Sequence, residues 1–329
     1  MALDIKKNKV LCMLKKDWVI FFLILFTSGC VLYFFAFSPE TVSITPEHRA
    51  KISEELNVEL KTEIDKYIEF QWAEYGDSWV PRHEQLAPEK RSECIIFYVH
   101  GYMGPIKGTP WYSHYAFCPL ESSLRNFRYV VCNPGLDGRK KYMSFAQGFD
   151  AYQVEKHLER LVFECSKKNI QVPIICIGHS NGASTLISVL CNNHKLSSQV
   201  SGIILLAPYA DIAEAVVCQK VPSFLGGRAI ACKAIKLLLA SKYNLTIPSP
   251  VQRVEKGMYP LNVPTLLAHS KADLLLPYNN FEMLKTAFEI KNKNVQFLSL
   301  TKDSHSLRRI SCELRQGVTE FVTAILRKK

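Results

Sequence analysis

From residue 94 onward the chain alternates short, uninterrupted apolar runs with longer stretches of helical period. The runs are 94–99 (CIIFYV), 129–132 (YVVC), 173–177 (PIICI), 202–206 (GIILL), 265–268 (TLLA) and 295–300 (VQFLSL). The helical stretches fall at about 145–168, 183–192, 278–290 and 311–327. A strand that is apolar at every position has both of its faces covered, and strands joined through helices pair in parallel because each needs a crossover. The pattern therefore predicts an α/β fold: a mostly parallel sheet of about six strands with helices on both faces. Residues 211–250 interrupt the rhythm and read as a lid-like insertion rather than a second domain. No internal repeat or low-complexity tract accompanies them.

The other strong signal lies before the sheet. Residues 18–37 (WVIFFLILFTSGCVLYFFAF) are twenty positions without a charge. As a helix they span about 30 Å, the thickness of a bilayer's hydrocarbon core. Trp18 and Tyr33 suit the interfaces. Lys6, Lys7, Lys9, Lys15 and Lys16 precede the span, whereas Glu40, Glu47, Glu54 and Glu55 follow it. The positive-inside rule then gives a single-pass protein with a cytoplasmic basic tail (1–17), a transmembrane helix (18–37) and everything after it on the non-cytoplasmic side. The apolar stretch is longer than a usual cleaved-signal core and no A-x-A site follows, so it reads as a retained signal-anchor.

After the span, Thr45-Pro46-Glu47 has the form of a helix start. Ile52, Leu56, Leu60, Ile64 and Ile68 then recur every fourth residue. This predicts an amphipathic stalk or linker helix within 38–79, ending near Gly76. The main domain is expected over 80–329.

With 41 Lys and Arg against 30 Asp and Glu, the net charge is +11. Five bases and two acids in 1–17 make 5 − 2 = +3 of it, in the place that sets orientation. No nucleic-acid motif goes with the remainder, so no nucleic-acid partner is expected. The eleven cysteines are scattered and include no C-x-x-C pair, which argues against a zinc site or a disulfide scaffold. Cys218 and Cys232 flank a loop and are the pair an oxidising compartment could bridge.

The chemistry-bearing motif is Gly178-His179-Ser180-Asn181-Gly182, a G-x-S-x-G between an expected strand and an expected helix. Glycines at the flanking positions let the chain turn sharply without a clash. The turn lifts the Ser180 hydroxyl clear of the sheet, beside helix-terminal amides that favour a developing negative charge.

With this motif in this context, residues from about 80 to 329 resemble the α/β-hydrolase family. The resemblance implies a serine hydrolase of the esterase or lipase type, with Ser180 as nucleophile and Gly178 and Gly182 forming the elbow. Tyr98–Gly104 (YVHGYMG) is similar to the family's His-Gly oxyanion loop. It would supply the backbone N–H of Tyr102, or of Met103 if the loop is shifted by one, beside that of Asn181. In 265–277 (TLLAHSKADLLLP) the family's order places the acid at Asp273, with Asp211 as runner-up. His305 alone of nine histidines follows the last expected strand, where the general base belongs. His179 should point away from the nucleophile, His100 would support the oxyanion loop, and His114 and His269 remain as other histidines a structure could promote. The family usually opens with extra strands, for which this chain leaves little room, so its first hairpin is expected to be shortened or missing.

The expected activity is hydrolysis of a carboxylic ester through an acyl-enzyme, without metal or cofactor. Trp111, Tyr112, Tyr115 and Phe117, with the apolar residues of the insertion, could line a pocket for a small-molecule or lipid ester. An acyltransferase using the same three residues, and a non-catalytic binding protein of the same fold, remain open. The acyl and alcohol parts of the substrate and the oligomeric state are not legible.

Overall fold

The computed structural model describes residues 67–75, 78–85, 94–101, 127–132, 136–137, 140–141, 148–167, 169, 171–215, 232–234, 236–237, 248–291, 294–305 and 310–328. Its strands are β1 (Tyr67–Tyr75), β2 (Ser78–Gln85), β3 (Cys94–Val99), β4 (Phe127–Cys132), β5 (Leu136–Asp137), β6 (Lys140–Lys141), β7 (Ile174–His179), β8 (Gly202–Leu206), β9 (Thr265–Ser270), β10 (Val295–Leu300) and β11 (Ile310–Ser311). Its helices are α1 (Gly148–Lys167), α2 (Asn181–Asn192), α3 (His194–Ser197), α4 (Pro250–Glu255), α5 (Asn279–Lys291) and α6 (Cys312–Leu326).

Nine strands form one sheet in the order β10-β9-β8-β7-β3-β4-β1-β2-β11. The six from β4 to β10 that share it are parallel, and they are the six apolar runs of the sequence. Strands β3, β7, β8 and β9 are buried along their whole length. Alternate residues serve opposite layers. Ile95, Phe97, Val99, Cys176, Ile203, Leu205 and Leu267 pack with α1, α2, α4 and α5. Cys94, Ile96, Tyr98, Ile175, Ile177, Ile204, Leu206 and Leu266 pack with α6. Each large apolar side chain so covered contributes about 1.5–3 kcal/mol relative to exposure. That is why neither parity of these strands carries a charge.

The order also fixes where a site can lie. From β3 the chain goes to one side to form β4, then returns to the other side to form β7. At such a reversal the loops leaving the carboxyl ends of the two strands part and open a crevice. Here those ends are Val99-His100-Gly101 and His179-Ser180.

The amino-terminal side differs from expectation. Tyr67–Tyr75 is a strand and not the end of a helix, which corrects that part of the 38–79 reading. It pairs antiparallel with β2, with Phe70 opposite His83 and Tyr75 opposite Ser78. It also pairs antiparallel with β4. The opening hairpin is therefore present at full length, and the sheet has nine strands rather than about six. Spacing of four is a multiple of the strand's period of two, so Ile64 and Ile68 could not tell the two structures apart. Phe70 and Trp72 continue the strand's alternation, and Gly76-Asp77 has the composition of a two-residue hairpin turn.

The basic tail, the 18–37 span and the helical pattern of 52–64 lie outside the described residues. Among the described residues no helix is long and apolar enough to cross a membrane. Cys232 is a free thiol, so the Cys218–Cys232 bridge is not formed. Cys94, Cys165, Cys176 and Cys191 are buried thiols outside any disulfide, and burial pushes the Cys191 thiol up to about 12. They behave as small core residues.

Candidate active site

Strand β7 ends at His179 and α2 begins at Asn181, leaving Ser180 alone to make the turn. Ser180 has φ 54° and ψ −121°, backbone that costs a residue with a side chain on the order of 1–3 kcal/mol. The flanking glycines make the turn sterically feasible. A Cβ on Gly178 would lie 2.5 Å from the Ala183 Cα, and one on Gly182 would lie 2.1 Å from the Val99 carbonyl oxygen. The Ser180 amide donates to the Leu206 carbonyl at 2.8 Å, which ties the turn to β8. Although Ser180 occupies the N-cap position, its side chain makes no cap bond to α2, which leaves the hydroxyl for other partners.

Its partner comes from the other end of the chain. His305 Nε2 lies 2.9 Å from Ser180 Oγ, and His305 Nδ1 lies 2.7 Å from Asp273 Oδ2. A carboxylate only accepts, so the imidazole proton sits on Nδ1 and Nε2 offers its lone pair to the serine hydroxyl. Burial would raise the Asp273 pKa. The His305 hydrogen bond and charge, the Leu276 amide and His269 outweigh burial and hold the pKa below the usual carboxylate value. The other Asp273 oxygen, Oδ1, accepts from the amides of Leu275 (2.8 Å) and Leu276 (2.9 Å). The segment bearing His305 is closed at its base by Asp303, which accepts from the Ser311 amide at 2.7 Å and the Ser311 hydroxyl at 2.6 Å.

Asn181 opens α2, and its side chain is fixed on both sides. Its Nδ2 donates to Asp150 Oδ2 at 3.2 Å, and its Oδ1 accepts from the Tyr209 hydroxyl at 2.9 Å. The main chain of Tyr209 is held in turn by Ser184 Oγ, which donates to its carbonyl and accepts from its amide, both at 3.0 Å. This buried network fixes the start of α2, directly after Ser180. From the other side, Gly101 comes close enough that an added Cβ would stand 3.2 Å from the Ser180 Cβ. Tyr102 and Met103, the other expected donors, lie outside the described residues, as do Trp111, Tyr112, His114, Tyr115 and Phe117.

Asp211 is elsewhere. Its Oδ1 caps the turn ahead, accepting from the Ala213 amide at 2.9 Å, and its Oδ2 pairs with Lys236 Nζ at 3.0 Å. Two histidines that sequence reasoning left without a role do have partners. His179 Nε2 donates to the His305 carbonyl at 2.7 Å. His269 Nε2 donates to the Leu276 carbonyl at 2.9 Å and lies 3.5 Å from Asp273 Oδ2. Each thus braces the backbone beside a candidate site residue. Burial first, then the nearby imidazoles of His305 and His100, lower the His179 pKa to about 3. Burial also lowers that of His269. The available signal was position alone, since His179 is the last residue of β7 and His269 the last but one of β9. Among the described residues no group of His, Cys, Asp and Glu is arranged to hold a metal ion.

No protein-family model matches the sequence, and no curated protein matches it. Solved structures do. An esterase from Pyrococcus furiosus superposes with a TM-score of 0.50 at 15% identity, covering 88% of this chain and 99% of its own. A Thermus thermophilus protein superposes with a TM-score of 0.50 at 13% identity, covering 79% of this chain and 98% of its own. At such identities the likeness is one of fold, and it extends over most of both chains.

Proposed function

The chain has the α/β-hydrolase fold, and from that premise we propose that it is a serine hydrolase cleaving carboxylic esters, with Ser180 as nucleophile, His305 as general base and Asp273 as the acid that orients it. One observation carries the reading: the unbroken hydrogen-bonded line from Ser180 Oγ through His305 to Asp273. His305 Nε2 takes the hydroxyl proton as Ser180 Oγ forms a bond to the acyl carbon. The carbonyl oxygen becomes an oxyanion, received by the backbone N–H of Asn181 and, in this reading, that of Tyr102. Two such donors are worth several kcal/mol in the transition state. The tetrahedral adduct collapses, and the protonated His305 gives its proton to the departing alkoxide. Water, deprotonated by the same histidine, then releases the carboxylic acid and restores Ser180.

The rim of the site favours a hydrophobic ester. Leu274 and Leu275, directly after Asp273, are 93% and 54% exposed, which sets apolar surface at the site's edge. Residues 18–37 are proposed to anchor the enzyme in a membrane with the hydrolase domain on the non-cytoplasmic side. A lipid or similar apolar ester would then be at hand.

A fluorophosphonate probe tests the reading. The wild-type chain should label and Ser180→Ala should not. Absence of labelling in wild type, or equal labelling of the variant, would overturn it. A panel of esters of graded chain length, run with and without an added alcohol acceptor, then separates hydrolysis from acyl transfer by product.

A further inference from the structure

We propose that His179, the residue inside the elbow and immediately before Ser180, is a positioning residue that registers the His305 segment and Gly101, just past β3, against the nucleophile. The inference rests on the reading of Ser180 and His305 given above. Its geometry is independent of it.

The His179 ring is 6% exposed and lies between two segments. On one side its Nε2 donates to the His305 carbonyl at 2.7 Å, with the two rings 5.0 Å apart. On the other, its Nδ1 would stand 3.4 Å from a Cβ placed on Gly101, so the ring packs against the start of the oxyanion-side loop. His305 is therefore tied to the elbow twice. Its side chain meets Ser180 Oγ at 2.9 Å, and its own carbonyl meets His179 Nε2. His179 and Ser180 are consecutive residues on a sterically locked turn. The distance from nucleophile to base is thus set by the elbow itself rather than by the length of the segment that carries His305.

The chemistry of the ring suits the task. Burial, with the imidazoles of His305 and His100 nearby, keeps His179 neutral down to a pKa of about 3. A neutral ring with its proton on Nε2 donates to the carbonyl without setting a second positive charge beside His305 when that residue takes the serine proton. Phenylalanine would fill the space without a donor. Glutamine places its amide nitrogen about where Nε2 stands, and asparagine only about where Nδ1 stands.

The test uses the full-length chain with His179→Gln, His179→Asn and His179→Phe. For each, the rate of fluorophosphonate labelling, kcat and KM on a p-nitrophenyl ester, the thermal midpoint and the downfield NMR signal of the His305 Nδ1 proton are measured. His179→Phe and His179→Asn should lose on the order of 10- to 100-fold in labelling rate and kcat, as misplaced catalytic groups do. KM should stay within about twofold, as expected when only transition-state alignment suffers. His179→Gln should recover to within a small factor of wild type. The downfield signal should shift or broaden in the Asn and Phe variants and persist in Gln.

Equal deficits in Gln and Asn at equal thermal midpoints, or a folded Phe variant with wild-type kcat, would overturn the assignment. If the Phe variant does not fold, the Gln and Asn pair carries the comparison. If wild type itself fails to label, the hydrolase reading falls, and the NMR signal still decides whether His179 positions His305.

Discussion

The loops after β8 and β9 begin alike and end in different work. Each of these two parallel strands runs into a loop that holds a buried aspartate. Each aspartate turns one oxygen onto the amides ahead of it. Asp211 Oδ1 accepts from Ala213 and Glu214 at 2.9 and 3.4 Å, and Asp273 Oδ1 accepts from Leu275 and Leu276 at 2.8 and 2.9 Å. Asx turns of this kind are a local habit of the residue. The second oxygen makes the difference. Asp211 Oδ2 meets Lys236, whose side chain is 49% exposed, whereas Asp273 Oδ2 meets His305. The loop after β8 contributes to the site through Tyr209 instead, whose hydroxyl secures Asn181. A local turn can aim a carboxylate, but what stands opposite the free oxygen decides whether it can orient a base.

The largest break in the comparison is expected from Asp273→Asn. The amide keeps the Oδ1 acceptor for Leu275 and Leu276 but can offer His305 Nδ1 a donor, which favours the wrong tautomer. We expect kcat to fall about 10⁴-fold with the circular-dichroism spectrum unchanged, a drop of the size known for this exchange in serine proteases. A loss under tenfold would mean that the two loops do not differ as described.

Acidification comes next. His179 and His157 are buried with pKa values of about 3, and His269 is shifted in the same direction. A folded-state pKa below the unfolded value means that unfolding takes up protons between the two. Stability is therefore full above about pH 6.5 and declines as pH falls toward 3, by up to about 1.4 kcal/mol per pH unit for each of His179 and His157, with His269 acting in the same sense. The depressed pKa of Asp273 extends the loss below about pH 4, on the β9 loop. Urea titrations across this range should give a slope that His269→Gln flattens, because the amide keeps the donor to Leu276 and does not titrate.

A smaller effect is expected from Tyr209→Phe. It removes the hydroxyl donor to Asn181 Oδ1 and leaves a buried carbonyl short of a partner. The cost should be about 1–3 kcal/mol of unfolding free energy by urea denaturation. The smallest is Asp211→Asn, which retains the acceptor for Ala213 and loses an ion pair whose lysine end is 49% exposed. That should cost no more than about 1 kcal/mol and leave kcat within about twofold.

Much of the sheet was legible because its central strands are buried on both faces and so leave continuous apolar runs in the sequence. The hairpin of β1 and β2 was not. A repeat of four at Ile64 and Ile68 fits helix and strand equally. β2 carries Pro81, Arg82, His83 and Glu84, which read as loop, and only the two residues of β11 pair with its outer side. The Gly178–Gly182 elbow was legible because its geometry is local: Cβ atoms at the two glycines would strike Ala183 and Val99. The task of His179 was not, since the carbonyl that it serves is 126 positions away in the chain.

The sequence by itself determined what local sterics and burial can dictate. These are the parallel sheet, the strained turn at Ser180, the glycines that permit it and the short list of acids and bases at strand ends. Only the tertiary structure decided among that list. It set Asp273 rather than Asp211 opposite His305, and it turned two unassigned histidines into braces. The physical reason is distance along the chain. His305 stands 125 residues from Ser180 and 32 from Asp273. Hydrogen bonds act over about 3 Å, so only the packed sheet, which sets the carboxyl ends of β7, β9 and β10 along one edge, could bring the three within reach.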